Sequence, residues 1–421
     1  VPFRATNNSV GYVRRVLQIC SHTTVHRSST CVLSFSPWFY TAPEPISLMF
    51  QMPDTTEKGQ TATTIGAKRS DGVSRRRPDD ALVQLAASLI DVESLSGHEQ
   101  LMSTFLEHWL GERGWKVKLQ PVAPQKWTLG GQIRHNVYAH RAGPAERKGG
   151  PRVLFNSHID TVPPFFGAEV CEEGGETVIK GRGACDTKGI LAAQLTALQQ
   201  LVDEGCVDVG LLYVVSEETD HSGMIAANAL GLDPEFMVVG EPTGSKMMRL
   251  QKGMLKVKLS CTGVACHSGY PHLGESALDP MIETLHALKH TTWPANQEMG
   301  ETTMNIGLVK GGQAANALAE ASEAVVMFRL IEAPEPILEA VEAIAKEHGV
   351  TVEVISKNSP VSLETLPGFE TDVAAYNTDV AYLKLSRGKA LLYGPGSIHH
   401  AHSRTEKIGV AEIRDAVDAY K

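Results

Sequence analysis

The sequence predicts an α/β fold in which a mostly parallel sheet is covered by helices on both faces and carries a smaller inserted domain. Short apolar runs alternate with stretches of helical periodicity in residues 81–253, which is typical of buried parallel strands joined by helices. Residues 254–360 show strands of alternating polarity instead. The first pattern returns in residues 361–421, so the main domain is predicted to be discontinuous, comprising 81–253 and 361–421.

The main domain is predicted from its helical and strand segments in turn. Apolar residues recur at helical spacing in residues 81–90, 99–111, 188–202 and 224–229. Strands are predicted at residues 115–122, 136–140, 152–156, 209–215 and 236–240. After the insertion, residues 372–385 are predicted to form a helix and residues 391–393 a strand. Because helices separate the buried strands, we expect the sheet to be mostly parallel.

The inserted domain begins with a strand that has one polar face. Leu255, Val257 and Leu259 alternate with Lys256, Lys258 and Ser260, as in a half-solvated strand. The segments that follow are a helix at residues 277–289, strands at 303–309 and 323–330, a helix at 335–347, and a strand at 350–356. The order βαββαβ is that of the ferredoxin-like split unit, which is therefore predicted for residues 254–360.

Composition argues against several classes of protein. The 421 residues carry a net charge of −9, whereas a nucleic-acid binder needs clustered Lys and Arg to neutralise phosphates. No apolar run approaches the roughly 20 residues of a membrane-spanning helix. The seven cysteines include no Cys-x-x-Cys pair, which fits free thiols in a reducing compartment. No nucleic acid or membrane is therefore expected as a partner, and a cytoplasmic location is expected.

Residues 1–80 are predicted to lie outside the folded part of the chain. The first acidic residue is Glu44, and Arg, Ser and Thr are frequent before it, as in a mitochondrial transit peptide. The chain begins with Val1 rather than methionine, which favours disorder or an extended gene model. A mitochondrial location is the alternative if this segment is a genuine targeting peptide.

Acidic and histidine residues follow several predicted strands at the point where each strand ends. His158 and Asp160 follow the strand at residues 152–156, and their spacing directs both side chains to one side of an extended chain. The others are Glu217 and Glu218 after the strand at 209–215, Glu241 after the strand at 236–240, Asp186 before the helix at 188–202, and His402 after the strand at 391–393. Ligands of open α/β sheets collect beyond the carboxyl ends of the strands, so these side chains are expected to converge.

Histidine and carboxylate side chains are suitable zinc ligands. Two histidines and three carboxylates are too many for one tetrahedral ion that keeps an open position. They suit two ions that share a carboxylate and activate a water, with a further acid free to act as the base. Each motif alone also has a plain structural explanation, such as a hydrogen-bonded surface pair for His158 and Asp160. Their joint placement favours a metal site.

The same residues lie in stretches that resemble a known family of zinc-dependent amidohydrolases. The family includes acetylornithine deacetylase, succinyl-diaminopimelate desuccinylase, aminoacylase and glutamate carboxypeptidase. The matching stretches span most of residues 81–421 and are Ser-His-Ile-Asp-Thr-Val (157–162), Gly-Arg-Gly-Ala-Cys-Asp-Thr-Lys-Gly (181–189), Ser-Glu-Glu-Thr (216–219), Gly-Glu-Pro-Thr (240–243), Gly-Val-Ala-Cys-His-Ser (263–268), Gly-Pro-Gly (394–396) and Ala-His (401–402). The resemblance implies a zinc-peptidase-like catalytic domain and an inserted lid and dimerisation domain.

The resemblance also implies a role for each candidate residue in catalysis. Glu217 would be the general base, and Asp160 would orient His158 through its ring N–H. Two zinc ions per subunit are implied, with Co²⁺ or Mn²⁺ as substitutes. Their implied ligands are Asp186 as the bridge, His158 and Glu241 on one ion, and Glu218 and His402 on the other.

The inserted domain would complete the site of a homodimer. By the resemblance, His267 reaches the active site of the neighbouring subunit and stabilises the oxyanion. Asn316 and Arg329 would hold the carboxylate end of the substrate, which an Arg can grip with two parallel hydrogen bonds.

The expected activity is hydrolysis of an amide bond in a small N-acyl amino acid, with acetylornithine-like deacetylation as the leading hypothesis. A carboxypeptidase or dipeptidase acting on short peptides is the alternative within the same chemistry. A catalytically silent metal-binding relative is a second class. A nucleotide-dependent enzyme is a third, although the glycine-rich residues 181–189 lack both the P-loop and the dinucleotide-binding patterns.

Overall fold

The computed structural model describes residues 80–125, 128, 131–141 and 149–421. The prediction for residues 1–79 lies outside these ranges. The α-helices are α1 (Ala81–Asp91), α2 (Gln100–Gly111), α3 (Gly189–Asp203), α4 (Ser222–Ala227), α5 (Leu278–His290), α6 (Pro334–Glu347) and α7 (Val410–Tyr420). None of the helices in the described ranges is long and apolar enough to cross a membrane.

The strands form two larger sheets and three small ones. In chain order they are β1 (Lys116–Val122), β2 (Arg134–His140), β3 (Val153–His158), β4 (Glu169–Glu173), β5 (Glu176–Lys180), β6 (Val209–Val214), β7 (Phe236–Val239), β8 (Met247–Gln251), β9 (Gly253–Thr262), β10 (Ala295–Asn296), β11 (Gly300–Glu301), β12 (Thr303–Gly311), β13 (Ala321–Leu330), β14 (Thr351–Asn358), β15 (Val361–Ser362), β16 (Thr371–Ala374), β17 (Lys389–Leu392) and β18 (Lys407–Gly409).

The main sheet has six strands in the order β1-β2-β6-β3-β7-β17. Strands β6, β3, β7 and β17 are parallel, whereas β1 and β2 are antiparallel at one edge. Successive residues of the parallel strands lie on opposite faces of the sheet, and each face has its own hydrophobic core. Phe155 packs with helices α1, α2, α3 and α7 on one face. Its neighbour Leu154 packs with α4 and the small β15-β8-β16 sheet on the other. Strand β6 is buried at every position, which explains its uninterrupted apolar sequence.

The second large sheet is antiparallel, with four strands in the order β12-β13-β9-β14. Helices α5 and α6 pack on one of its faces, where Leu255, Val257 and Leu259 of β9 join a separate hydrophobic core. The element order β9-α5-β12-β13-α6-β14 is the predicted βαββαβ unit, with a 3-10 turn (Pro271–Leu273) before α5 and the short β10–β11 hairpin after it. The opposite face of β9 carries Met254 and Lys256, which line a cavity described below.

The prediction of a helix at residues 372–385 is wrong. Thr371–Ala374 is strand β16, which pairs with β8 in parallel, and Asp379–Tyr382 is a short 3-10 turn. Thr378 interrupts the segment because its hydroxyl accepts from the Val380 N–H (3.2 Å) and donates to the Gln251 side chain (2.6 Å). The apolar spacing reflects packing of this irregular segment against the second core of the main sheet, since tertiary contacts override local helix propensity.

Candidate active site

The candidate residues are held at the carboxyl edge of the main sheet. His158 is the last residue of β3, and Glu241 lies two residues beyond the end of β7. Glu217 and Glu218 belong to the turn after β6, and His402 lies in the loop after β17. Because these four strands are parallel neighbours, their carboxyl ends meet at one edge. The predicted convergence is therefore present.

Two histidines and two carboxylates are in direct contact at this edge. The distance from His158 Nε2 to Asp186 Oδ1 is 2.9 Å. His402 Nε2 lies 3.3 Å from Asp186 Oδ2 and 2.9 Å from Glu218 Oε2. One ligand atom each of His158, Asp186 and Glu218 can be chosen so that all three lie within 4.8 Å of one another. Asp186 thus lies between the two histidines.

The hydrogen bonds of His158 are compatible with a bound metal ion. Its Nδ1–H donates to the main-chain carbonyl of Asp160 (2.9 Å), so in the neutral tautomer Nε2 presents a lone pair to the Asp186 carboxylate. Two lone pairs in contact require either a second proton on the ring or a cation shared between the two groups. Imidazole nitrogen and carboxylate oxygen are a donor set that zinc prefers.

Buried carboxylates accumulate next to this pair. Burial, followed by the charge of Glu217, raises the pKa of Glu241 well above its ordinary value. Burial likewise raises the pKa of Glu218 to about 7, and Asp186 adds to the increase. Burial acts in the same direction on Asp186, but hydrogen bonds from His158 and His402 outweigh it and lower its pKa. Such a concentration of negative charge is stabilised by a cation, so the residues fit a metal site.

Asp160 connects His158 to the turn that carries the two glutamates. Its Oδ1 accepts from the main-chain N–H of Glu217 (3.0 Å), and its Oδ2 accepts from that of Glu218 (3.2 Å) and from Ser96 Oγ (2.8 Å). The carboxylate also lies 3.5 Å from His158 Nδ1. The closer partner of the ring is the Asp160 carbonyl, so this residue orients His158 mainly through its backbone.

Glu217 lies beside a further histidine, His221. The distance from its Oε1 to His221 Nδ1 is 3.9 Å. His221 Nδ1 is 3.0 Å from Asp379 Oδ1, and the imidazole stacks on the Tyr382 ring at 4.2 Å between centroids. Burial lowers the pKa of His221, but the hydrogen bond to Asp379 and the charges of Glu217 and Asp379 together outweigh it, and the net effect is an increase. Burial raises the pKa of Glu217 itself to about 8.

A buried ion pair supports the segment that contains Asp186. Glu406 Oε2 accepts from the Arg182 guanidinium at 2.5 Å, and both side chains are almost completely buried. The other oxygen of Glu406 accepts from the main-chain N–H groups of Cys185 and Asp186, each at 3.2 Å. The Asp186 backbone is therefore tied to the loop that follows His402.

A cavity of about 430 Å³ opens between this cluster and the four-stranded sheet. Asp186, Glu217, Glu218, Glu241 and His402 line it on the side of the main sheet. The facing wall is formed by three neighbouring strands, and it contributes Met254 and Lys256 from β9, Met327 and Arg329 from β13, and Ile355 and Ser356 from β14. A substrate held here would contact both large sheets.

Two comparisons with known proteins indicate the same family. Residues 249–353 match the model of a peptidase dimerisation domain. A peptidase M20 domain-containing protein of Schizosaccharomyces pombe is 38% identical over 81% of this chain and 84% of its own length. The chain belongs to the M20 peptidase family. It is a hydrolase of the metallopeptidase type, and the resemblance noted in the sequence is confirmed.

Two further comparisons extend over most of this M20 peptidase. A protein of Neosartorya fischeri described as a probable carboxypeptidase is 34% identical over 90% of the chain and 93% of its own length. The crystal structure of an M20 family metallo-carboxypeptidase from Sulfolobus solfataricus superposes with a TM-score of 0.62 at 16% identity, covering 81% of this chain and 98% of that one. The structural match shows that the fold is shared.

Four of the predicted site residues of the M20 peptidase do not line the cavity. His158 and Asp160 are buried behind the cluster. His267 and Asn316 are exposed and are not among the residues that line it. They are close to each other, because His267 forms a β-bridge with Ala317 and the Ser268 N–H donates to the Asn316 carbonyl (3.0 Å). A role for either at this chain's own cavity finds no support in this arrangement, whereas Arg329 does line it.

Sequence reasoning missed several cavity residues of the M20 peptidase. His221 follows Glu217 by four residues, and this spacing on a turn was the available signal for their contact. Tyr376 and Asn377 line the cavity but lie in the segment that was wrongly predicted as a helix. Lys256 was read only as part of the polar face of β9.

Proposed function

We propose that this M20 peptidase hydrolyses an amide bond next to a free carboxylate in small peptides, as a carboxypeptidase or a dipeptidase. The observation that carries the proposal is the position of Arg329. Arg329 lines the cavity across from the histidine and carboxylate cluster. No hydrogen bond or ion pair links the Arg329 side chain to another residue in the described part of the chain. A substrate carboxylate at Arg329 would place the adjacent amide near the cluster.

The proposed metal ligands are five side chains at the carboxyl edge of the main sheet. His158 and Glu241 would hold one ion and Glu218 and His402 a second, and Asp186 would contribute to both. Zinc fits these donors, and Co²⁺ or Mn²⁺ could replace it. When bound, such ions lower the pKa of a bound water and polarise the carbonyl to be cleaved.

Glu217 is the proposed general base. It lies in the cavity wall with 10% of its side chain exposed and, unlike its neighbour Glu218, makes no short contact with His402. Burial raises its pKa to about 8, and a cation held by the neighbouring residues would lower that pKa. A carboxylate with a pKa near neutrality can take a proton from water and return it to the leaving amine.

Hydrolysis of an N-acyl amino acid, including acetylornithine, uses the same groups. A deacylase and a carboxypeptidase both require the carboxylate contact and the activated water. The relatives described as probable carboxypeptidases support the peptidase alternative. N-acetylornithine is therefore one specific substrate to be tested.

A homodimer is proposed to complete the site. Exposed apolar side chains lie in the loop of His267, namely Val264, Tyr270 and Leu273, and on the edge strand β12 of the same domain, namely Leu308 and Val309. The Gly269 N–H donates to His267 Nδ1 (3.0 Å), so the neutral ring carries its proton on Nε2. That N–H is exposed, and it could donate to an oxyanion in a neighbouring subunit.

The decisive experiment is amide hydrolysis by wild type and Glu217→Gln, with metal content measured in parallel. The panel contains several dipeptides, N-acetyl amino acids, N-acetylornithine and succinyl-diaminopimelate. We expect activity to disappear on chelation, to return with Zn²⁺, and to fall roughly 100-fold to 10,000-fold in the variant without loss of metal. The exposed substitution Glu298→Gln serves as the control. Undiminished turnover by Glu217→Gln would exclude it as the base.

A further inference from the structure

Lys256 lies on the cavity wall beside Arg329. It alternates along β9 with Leu255 and Val257, which are buried in the core on the other face of the sheet. The register pairs Met327 with Lys256 and Arg329 with Met254. Lys256 and Arg329 are therefore diagonal cross-strand neighbours, whose Cα atoms are typically about 7–8 Å apart. Two cations of different strands thus face the same cavity.

Neither cation forms an ion pair within the described part of the chain, although the charge of Glu217 acts on Arg329 from a distance. Among the described residues, no hydrogen bond or ion pair involves the side chain of Lys256 or of Arg329. Lys258, two residues along the same face of β9, differs because its Nζ lies 2.5 Å from Glu323 Oε1, and it does not line the cavity. Burial lowers the pKa of Arg329, which shows that its charge is partly desolvated. A buried or half-buried unpaired charge is costly until an anion arrives.

We propose that Lys256 binds the side-chain carboxylate of an acidic residue whose main-chain carboxylate is held by Arg329. Preferred substrates would then end in glutamate or aspartate. This inference rests on the proposed function. The two carboxylates of such a residue are joined by a short carbon chain. Met254 and Met327, which occupy the other diagonal of the same strand pair, can contact its methylene groups. The ammonium group of ornithine would instead meet Lys256 as a like charge, which disfavours an acetylornithine substrate.

Matched substrates that differ only in this charge test the proposal. Hydrolysis of Ala-Glu and Ala-Gln is measured with the metal-loaded full chain as wild type, Lys256→Met and Lys258→Met. Methionine keeps most of the length of the side chain and removes the charge. We expect wild type to favour Ala-Glu in kcat/KM by roughly tenfold to a hundredfold, the size of a hydrogen bond to a charged group. Lys256→Met should remove this preference, and Lys258→Met should retain it.

Charge reversal gives a second, independent result. Lys256→Glu should prefer a dipeptide that ends in lysine over one that ends in glutamate. The proposal is overturned if wild type does not distinguish the two matched dipeptides. It is also overturned if Lys256→Met loses the same factor on both, because Lys256 would then assist only in binding the main-chain carboxylate.

Binding separates failure of this inference from failure of the proposed function. If wild type cleaves neither dipeptide, the proposed function fails for these substrates, and calorimetry with free glutamate and free glutamine still reports on Lys256. Tighter binding of glutamate that is lost in Lys256→Met supports the acidic specificity. Equal binding of the two amino acids by wild type overturns it.

Discussion

The Asp160 carboxylate joins two parts of the site that are distant in the sequence. Each of its oxygens accepts an N–H from the turn of Glu217 and Glu218, and Ser96 supplies a further donor. The residue therefore fixes the proposed base and a proposed ligand at once, while its carbonyl orients His158. A carboxylate is required because an amide has only one accepting oxygen.

Asp160→Asn should consequently damage both stability and activity. Its new NH₂ group would face an N–H or hydroxyl donor, leaving that donor buried without an acceptor. We expect a loss of about 1–3 kcal/mol in the free energy of unfolding, measured by urea denaturation, and a lower kcat. Ser96→Ala removes a single donor and should have the smaller effect. Wild-type stability and kcat in Asp160→Asn would contradict the structural role.

The residue patterns predicted part of this arrangement. The His-x-Asp spacing predicted that His158 and Asp160 lie on one side, and the strand ends predicted the convergence with Glu218, Glu241 and His402. The link from Asp160 to the glutamate turn could not be predicted, because it joins residues more than fifty positions apart. The position of Lys256 in the cavity could not be predicted for a similar reason, since only the sheet register places it beside Arg329.

At the scale of elements, the segment between β5 and α3 depends on an acidic residue from the far end of the chain. Glu406 precedes β18, and it accepts from both the Arg182 side chain and the Asp186 main chain. Periodicity predicted α3 and the parallel strands well, because their burial follows a regular repeat. Residues 372–385 were predicted wrongly, because pairing with β8 and the Thr378 hydrogen bonds determine their conformation.

Glu406→Gln should destabilise the fold and weaken metal binding. The substitution leaves Arg182 as a buried charge without its counter-ion, which typically costs about 3–5 kcal/mol. Asp186 would also lose part of the support for its backbone. Urea unfolding and metal titration measure the two effects. Glu298→Gln, which disrupts the exposed pair with Arg249, should cost under about 1 kcal/mol. Equal effects from both variants would refute the importance of the buried pair.

On the scale of the whole molecule, the cavity lies between two sheets that have separate hydrophobic cores. The main sheet supplies the proposed ligands and base, and the four-stranded sheet supplies Arg329 and Lys256. His267 belongs to the second sheet's domain, yet it is exposed and outside this cavity. The proposed dimer resolves this difference, because the loop of one subunit could reach the cavity of the other.

Mixed dimers provide the sharpest test of that arrangement. Glu217→Gln and His267→Ala should each be inactive as homodimers while retaining metal. In a mixed dimer, one cavity combines the intact Glu217 of one subunit with the intact His267 of the other. Random pairing makes half of the dimers mixed, with one complete site each, so co-expression should restore about a quarter of wild-type activity. If His267 acts within its own subunit, no mixed dimer contains a complete site and activity stays absent. Light scattering on the same samples reports whether the dimer forms.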